Sequence, residues 1–137
     1  MAIVQTLTTT AKLNLLQGAL NFNTATFKIA LYAEGASLDD STAAYTTDGE
    51  VTGTGYTAGG NSVTVSSVSS SDSVAWVDFA DVSWADSTIS ARGALIYVSG
   101  GIAVAVLDFG ATKTSNSSTF QIQFPAGDAK NAIIRIE

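Results

Sequence analysis

The side chains that could do chemistry in this sequence are carboxylates and aromatics. Asp39-Asp40 and Asp48-x-Glu50 bring four carboxylates into one glycine-rich stretch. Carboxylates and nearby carbonyl or hydroxyl oxygens are the ligands of hard cations, and Ca²⁺ takes six to eight of them. Thr46 and Thr47 would add oxygens, but the spacing fits no EF-hand. A solvated acidic loop is therefore the expectation, with no metal bound. Asp78, Asp81 and Asp86 flank Trp76 and Trp84. Two carboxyls across a sugar-stacking aromatic are the parts of a glycoside hydrolase. Aspartates beside strand ends more commonly act as turn residues and caps, and these three are expected to do so. The sequence has no histidine and no cysteine. That excludes Ser-His-Asp and Cys-His catalysis, thiolate metal sites and disulfides. We expect no enzyme, no catalytic residue and no cofactor.

Gly53-Thr54-Gly55-Tyr56-Thr57-Ala58-Gly59-Gly60 superficially resembles a phosphate loop. It lacks the Lys-Ser/Thr pair and the following helix, so its glycines are expected to serve sharp turns or close backbone packing. Arg92 opens an apolar run and is expected to pair with Asp78, Asp81 or Asp108. Most aromatics fall on alternating apolar faces and belong to a core. Trp76 is out of phase with Val77 and Phe79. With Trp84, Tyr45 and Tyr56 it is the expected set of partner contacts, since Trp and Tyr are favoured interface anchors.

The elements that must position these residues are mostly strands. Phe27, Ile29 and Leu31 alternate with polar or small neighbours, which predicts a strand with one face buried. Val63 and Val65, then Ala75, Val77 and Phe79, then Phe120, Ile122 and Phe124 repeat the pattern. Ala94–Val98 and Ile102–Leu107 are apolar on both faces and are placed centrally. Ser99-Gly100-Gly101 between them predicts a hairpin. Ala132–Ile136 is read as the last strand. Thr9 or Thr10 caps a short helix over Ala11–Gln17, with one apolar stripe of Leu13, Leu16 and Leu20, Leu15 and Ala19 beside them, and Gly18 as its stop. Glu34–Asn61 and the serine-rich Ser66–Ser73 read as surface loops or excursions toward a partner.

The 137 residues fit one domain with one real core, and 46% apolar content argues against disorder. Serine and threonine make up roughly a quarter of the chain, which suits exposed strand faces and loops. The expected fold is mainly β: an antiparallel β-sandwich, jelly-roll-like, or a barrel of about seven or eight strands with one short N-terminal helix. Six basic residues against twelve acidic ones give a net charge of -6, and the basic residues are scattered. Nucleic-acid binding is thereby disfavoured. No apolar run is long enough to span a membrane, and Met1–Thr10 lacks the features of a secretion signal.

One further expectation comes from likeness rather than from patterning. The segments Lys12–Gly18, Thr26–Tyr32, Thr42–Thr47, Gly49–Gly60, Ala91–Tyr97, Ala103–Gly110 and Ala132–Ile136 occur in an order that resembles a family of small virion proteins of tailed bacteriophages and prophages. The likeness covers Leu13 to Ile136. It implies a structural component of the particle, with the capsid surface as its location. A decoration or cement protein that binds the expanded shell of major capsid protein is the favoured role. A tail, neck or fibre module contacting tail proteins or host glycans is the alternative. Self-association as a dimer or trimer is expected on the same ground. The resemblance brings no catalytic residues with it.

Overall fold

The computed structural model describes residues 2–136. Strand accounts for 47% and helix for 6%, so the chain is mainly β, and its sheets stay open rather than closing into a barrel. Among the described residues ten strands form: β1 (Thr6–Leu7), β2 (Phe27–Tyr32), β3 (Asn61–Val63), β4 (Val65–Ser71), β5 (Val74–Phe79), β6 (Val82–Ser87), β7 (Ser90–Val98), β8 (Ala103–Thr114), β9 (Ser118–Ile122) and β10 (Ile134–Ile136). One sheet runs β1-β8-β7-β2-β3, a second runs β10-β5-β4, and β6-β9 form a two-stranded ribbon. All of these pairings are antiparallel.

The centre of the large sheet is the β7–β8 hairpin, whose strands are apolar on both faces as their sequence implies. Gly100 at its tip has φ +75°, a conformation that glycine adopts without a Cβ penalty. The Val98 N–H donates to the Ile102 carbonyl at 2.8 Å and closes the loop. One face of this sheet packs Phe27, Ile29, Leu31, Ile96 and Val104 against Val77, Phe79, Val82, Trp84, Phe120, Ile122 and Ile134 of the smaller sheet and ribbon. Phe22, Phe27 and Phe79 form an aromatic knot within it, with ring centroids 5.3–6.5 Å apart.

The opposite face is also buried. Ala30, Tyr32, Leu95, Tyr97, Ala103 and Val106 meet Ile3, Ala36 and Leu38 there. The excursion after β2 folds back over the sheet and is fastened by single bridges at Ile3–Leu38, Tyr32–Glu50 and Ala44–Ile102. This corrects the expectation of a one-sided β2: the alternating residues Ala30 and Tyr32 are as sealed as Phe27 and Ile29, because a distant segment covers them.

The count of seven or eight strands also falls short. β4 occupies the run read as a serine-rich loop. It is followed by a two-residue turn, with Asp72 at φ 51° and Ser73 at φ 67° between the paired Ser71 and Val74. Positive φ at both central residues is the type I′ geometry that matches strand twist. β6 carries Asp86 at φ 49°, within a bulge between Trp84 and Ser87.

Among the described residues the one helix, α1 (Thr9–Leu16), starts two residues earlier than the expected Ala11. Thr8 is its cap: its Oγ1 accepts from the Ala11 N–H at 3.1 Å and donates to the Ala103 carbonyl at 2.8 Å, tying the helix to β8. Only part of the expected stripe is buried. Ala11 is sealed and Leu15 is partly so, whereas Leu13 is 52% and Leu16 88% exposed. The anchor at Thr8 sets the rotation of this two-turn helix, so the i, i+4 pair Ala11 and Leu15 faces the sheet. Leu20 is buried from the segment beyond it.

Candidate functional site

Glu50 is the hub of the polar groups. Its Oε1 accepts from the Tyr45 hydroxyl at 2.6 Å. Its Oε2 accepts from the Tyr56 hydroxyl at 2.5 Å and from the Gly59 N–H at 2.8 Å. The Tyr56 oxygen in turn accepts from the Leu31 N–H of β2 at 3.0 Å. Tyr97 on β7 donates to the Gly59 carbonyl at 2.6 Å, and Tyr32 on β2 donates to the Thr46 carbonyl at 2.6 Å. Tyr45 stacks on Tyr97 at 4.9 Å. All four tyrosines of the chain thus join one carboxylate and the excursion's backbone to the large sheet.

Local backbone makes this convergence possible. Gly60 has φ +76°, and any Cβ there would run into the Ile29 carbonyl. A Cβ on Gly53 would run into the Thr88 carbonyl. The glycines therefore let residues 53–60 lie against strands, in line with the close packing expected of them.

The electrostatics suit a fastening rather than proton traffic. Burial raises the Tyr45 hydroxyl to about 12, helped by its hydrogen bond to Glu50. Burial likewise pushes up Tyr32, Tyr56 and Tyr97, with the nearby Glu50 charge adding to each. Phenols held so high keep their protons at neutral pH and serve as hydrogen-bond donors.

The remaining acidic residues disperse. Asp39 Oδ1 accepts from the Ser41 N–H at 2.8 Å in an Asx turn, and Asp48 lies exposed. Among the described residues no three acidic, His or Cys side chains gather where one ion would sit. Asp81 Oδ1 accepts from the Phe124 N–H at 2.9 Å, and Gly127 lies tight against the Asp78 side chain. Arg92 selects Asp108 from its expected partners, at 2.9 Å, and adds Glu34 at 3.4 Å. The Arg92 hydrogen bond holds the Asp108 carboxyl below its ordinary range.

The four residues expected at a partner contact meet different fates. Trp84 is 3% exposed and packs between Tyr56 and Phe120, so it belongs to the core; Val82 and Trp84 face inward, and the bulge then shifts the buried phase to Ser87. Tyr45 and Tyr56 direct their hydroxyls to Glu50. Trp76 is half-buried on the face of β5 turned away from Val77 and Phe79, between the register positions of Ser69 and Arg135. Its Nε1 is covered without a hydrogen-bond partner.

Two surface features escaped the sequence reading. An open groove of about 680 Å³ separates β8 from β9, lined by Phe109, Phe120, Phe124, Lys113, Gln121 and Gln123. β4 forms a free sheet edge, exposed along nearly its whole length. The first depends on β8 and β9 diverging into different layers, which no local pattern encodes. The second shows locally only in the Asp72-Ser73 pair between the valine-serine run of β4 and the apolar alternation of β5. Comparisons with protein-family models, curated proteins and solved structures find no match to this chain.

Proposed function

We propose that this chain is a structural protein of a bacteriophage virion, a decoration or cement protein that sits on the capsid surface and clamps the expanded shell of major capsid protein. The observation that carries the reading is the use made of its reactive side chains. Glu50, the four tyrosines, Asp39, Asp81, Asp108 and Arg92 hold the chain's own backbone and excursions in place. What the fold offers outward is surface: free strand edges, an open groove and an acidic exterior.

The physical role follows from that surface. A clamp touching several shell subunits adds interface that must break before they part, and attachment at several points makes modest contacts durable. A net charge of -6 complements basic patches on a shell and repels packaged DNA. The alternative, a tail, neck or fibre module, is favoured by one feature. The groove sets Phe109 and Phe124 beside Gln121 and Gln123, a combination of ring faces and amides suited to a glycan.

The test is binding of the purified chain to purified shells before and after expansion. Saturable binding to expanded shells alone, with a raised shell melting temperature, is expected. Equal binding to both forms, or to neither, overturns the cement role. Glycan binding abolished by Phe124→Ala supports the fibre alternative in its place.

A further inference from the structure

β4 is an edge strand without the usual protection. Natural edges are blunted by charges, proline, bulges or a covering element. β4 reads Val-Ser-Ser-Val-Ser-Ser-Ser, its one partner is β5, and its bulge lies at the Val65–Ser67 end. From Ser67 to Ser71 the pairing is regular. Val68 stands 43% exposed in the middle of the strand.

The direction of the free backbone groups follows from the turn. Hydrogen-bonded and non-hydrogen-bonded pairs alternate along an antiparallel ladder. Ser71 and Val74 close the two-residue turn, so they form a hydrogen-bonded pair, as do Ser69–Trp76 and Ser67–Asp78. Val68 and Ser70 therefore turn their N–H and C=O groups outward, away from β5.

Charge selects the occupant of this edge. The chain carries -6, yet no residue from Val51 to Ser71 is charged. A second acidic copy is repelled over most of the surface and least along this neutral strip. A basic partner gains nothing from docking there. We infer that two copies of this chain pair antiparallel through β4, with Val68 opposite Val68 of the other copy, joining two three-stranded sheets into one of six strands.

This register puts Ser67 opposite Ser69, Ser66 opposite Ser70 and Thr64 opposite Asp72, so no like charges meet. It makes Val68 a hydrogen-bonded pair with its own equivalent and covers its exposed side chain. A two-fold edge pairing uses the same surface on both copies and closes at two. The low hydrophobicity of the serines keeps the contact reversible, distinct from the long apolar edges that aggregate. The inference is independent of the virion reading, because the dimer forms in dilute buffer with no shell present.

Sedimentation of the full chain from micromolar to millimolar concentration, at low and high sodium chloride, tests it. A monomer–dimer equilibrium is expected, with the dimer strengthened by salt as the mutual repulsion is screened. Val68→Lys sets like charges face to face and weakens the dimer by about tenfold or more. Leu16→Lys, on the exposed side of α1, leaves it unchanged. Hydrogen exchange on the unsubstituted chain gives a second readout that needs no variant: the Val68 and Ser70 amides slow as concentration rises. A monomer at every concentration, a trimer, a dimer weakened by salt, or one lost with Leu16→Lys but kept with Val68→Lys overturns the proposal.

Discussion

At the residue scale, one carboxylate organises the polar interior. Replacing Glu50 by Gln keeps an acceptor for one tyrosine but removes the charge and leaves other donors poorly matched. A buried donor without its partner costs about 1–3 kcal/mol. Glu50→Gln is therefore expected to lower unfolding free energy by about 2 kcal/mol in urea titrations. The same site sets the response to alkali. Tyr45 titrates near 10.0 when unfolded and at about 12 when folded. A group raised on folding stabilises the protein fully below its unfolded value and loses that contribution as pH climbs toward the folded one. Stability should thus hold up to about pH 10 and fall between there and pH 12, with phenolate absorbance appearing in the unfolding transition rather than before it. Glycine positions give a sharper contrast. Gly60→Ala drives a methyl group into the Ile29 carbonyl at a positive φ, whereas a Cβ at Gly110 (φ +80°) meets open space. The first should cost upwards of about 3 kcal/mol and the second about 1 kcal/mol in thermal unfolding.

At the scale of elements, local signals and long-range packing diverge in instructive ways. The β7–β8 hairpin was legible because Ser99-Gly100-Gly101 separates two runs that are apolar on both faces, and both turn and strands are local properties. β9 was legible from the strict alternation of Phe120 and Ile122. β4 was not, because serine carries no burial signal; its strand state comes from pairing with β5 across the Asp72-Ser73 turn. Strengthening that turn is a direct check. Asp72→Asn with Ser73→Gly supplies residues at ease with positive φ and should add about 0.5–1 kcal/mol of stability. The α1 leucines misled for the opposite reason. Leu13, Leu16 and Leu20 carry an apolar pattern, yet the helix is oriented by Thr8 and its bond to Ala103, 95 residues away in sequence. Thr8→Val should cost about 1–2 kcal/mol, while Leu16→Ser should leave stability within about 0.5 kcal/mol. The hub at Glu50 lay within a stretch the sequence did single out for its acids, but Tyr45 and Tyr56 reach it only because that excursion folds over β2 and β7, whose Tyr32 and Tyr97 hold the backbone at Thr46 and Gly59. Spacing alone could not assemble them.

At the scale of the whole molecule, two buried layers on one five-stranded sheet give a stiff body from a short chain. The excursion after β2 supplies the outer layer, and the smaller sheet and ribbon supply the inner one. Such a body is well made to transmit load between the surfaces it touches, and the free β4 edge, the β8–β9 groove and the acidic exterior are the surfaces it presents. The proposed virion role rests on the resemblance to small phage virion proteins and on the inward commitment of the reactive side chains. Its most direct test is quantitative mass spectrometry of purified mature particles from phage encoding this chain. The account expects a copy number that scales with the major capsid protein, and protease accessibility at the outer surface. Absence from mature particles, or a few copies confined to the tail, would contradict it.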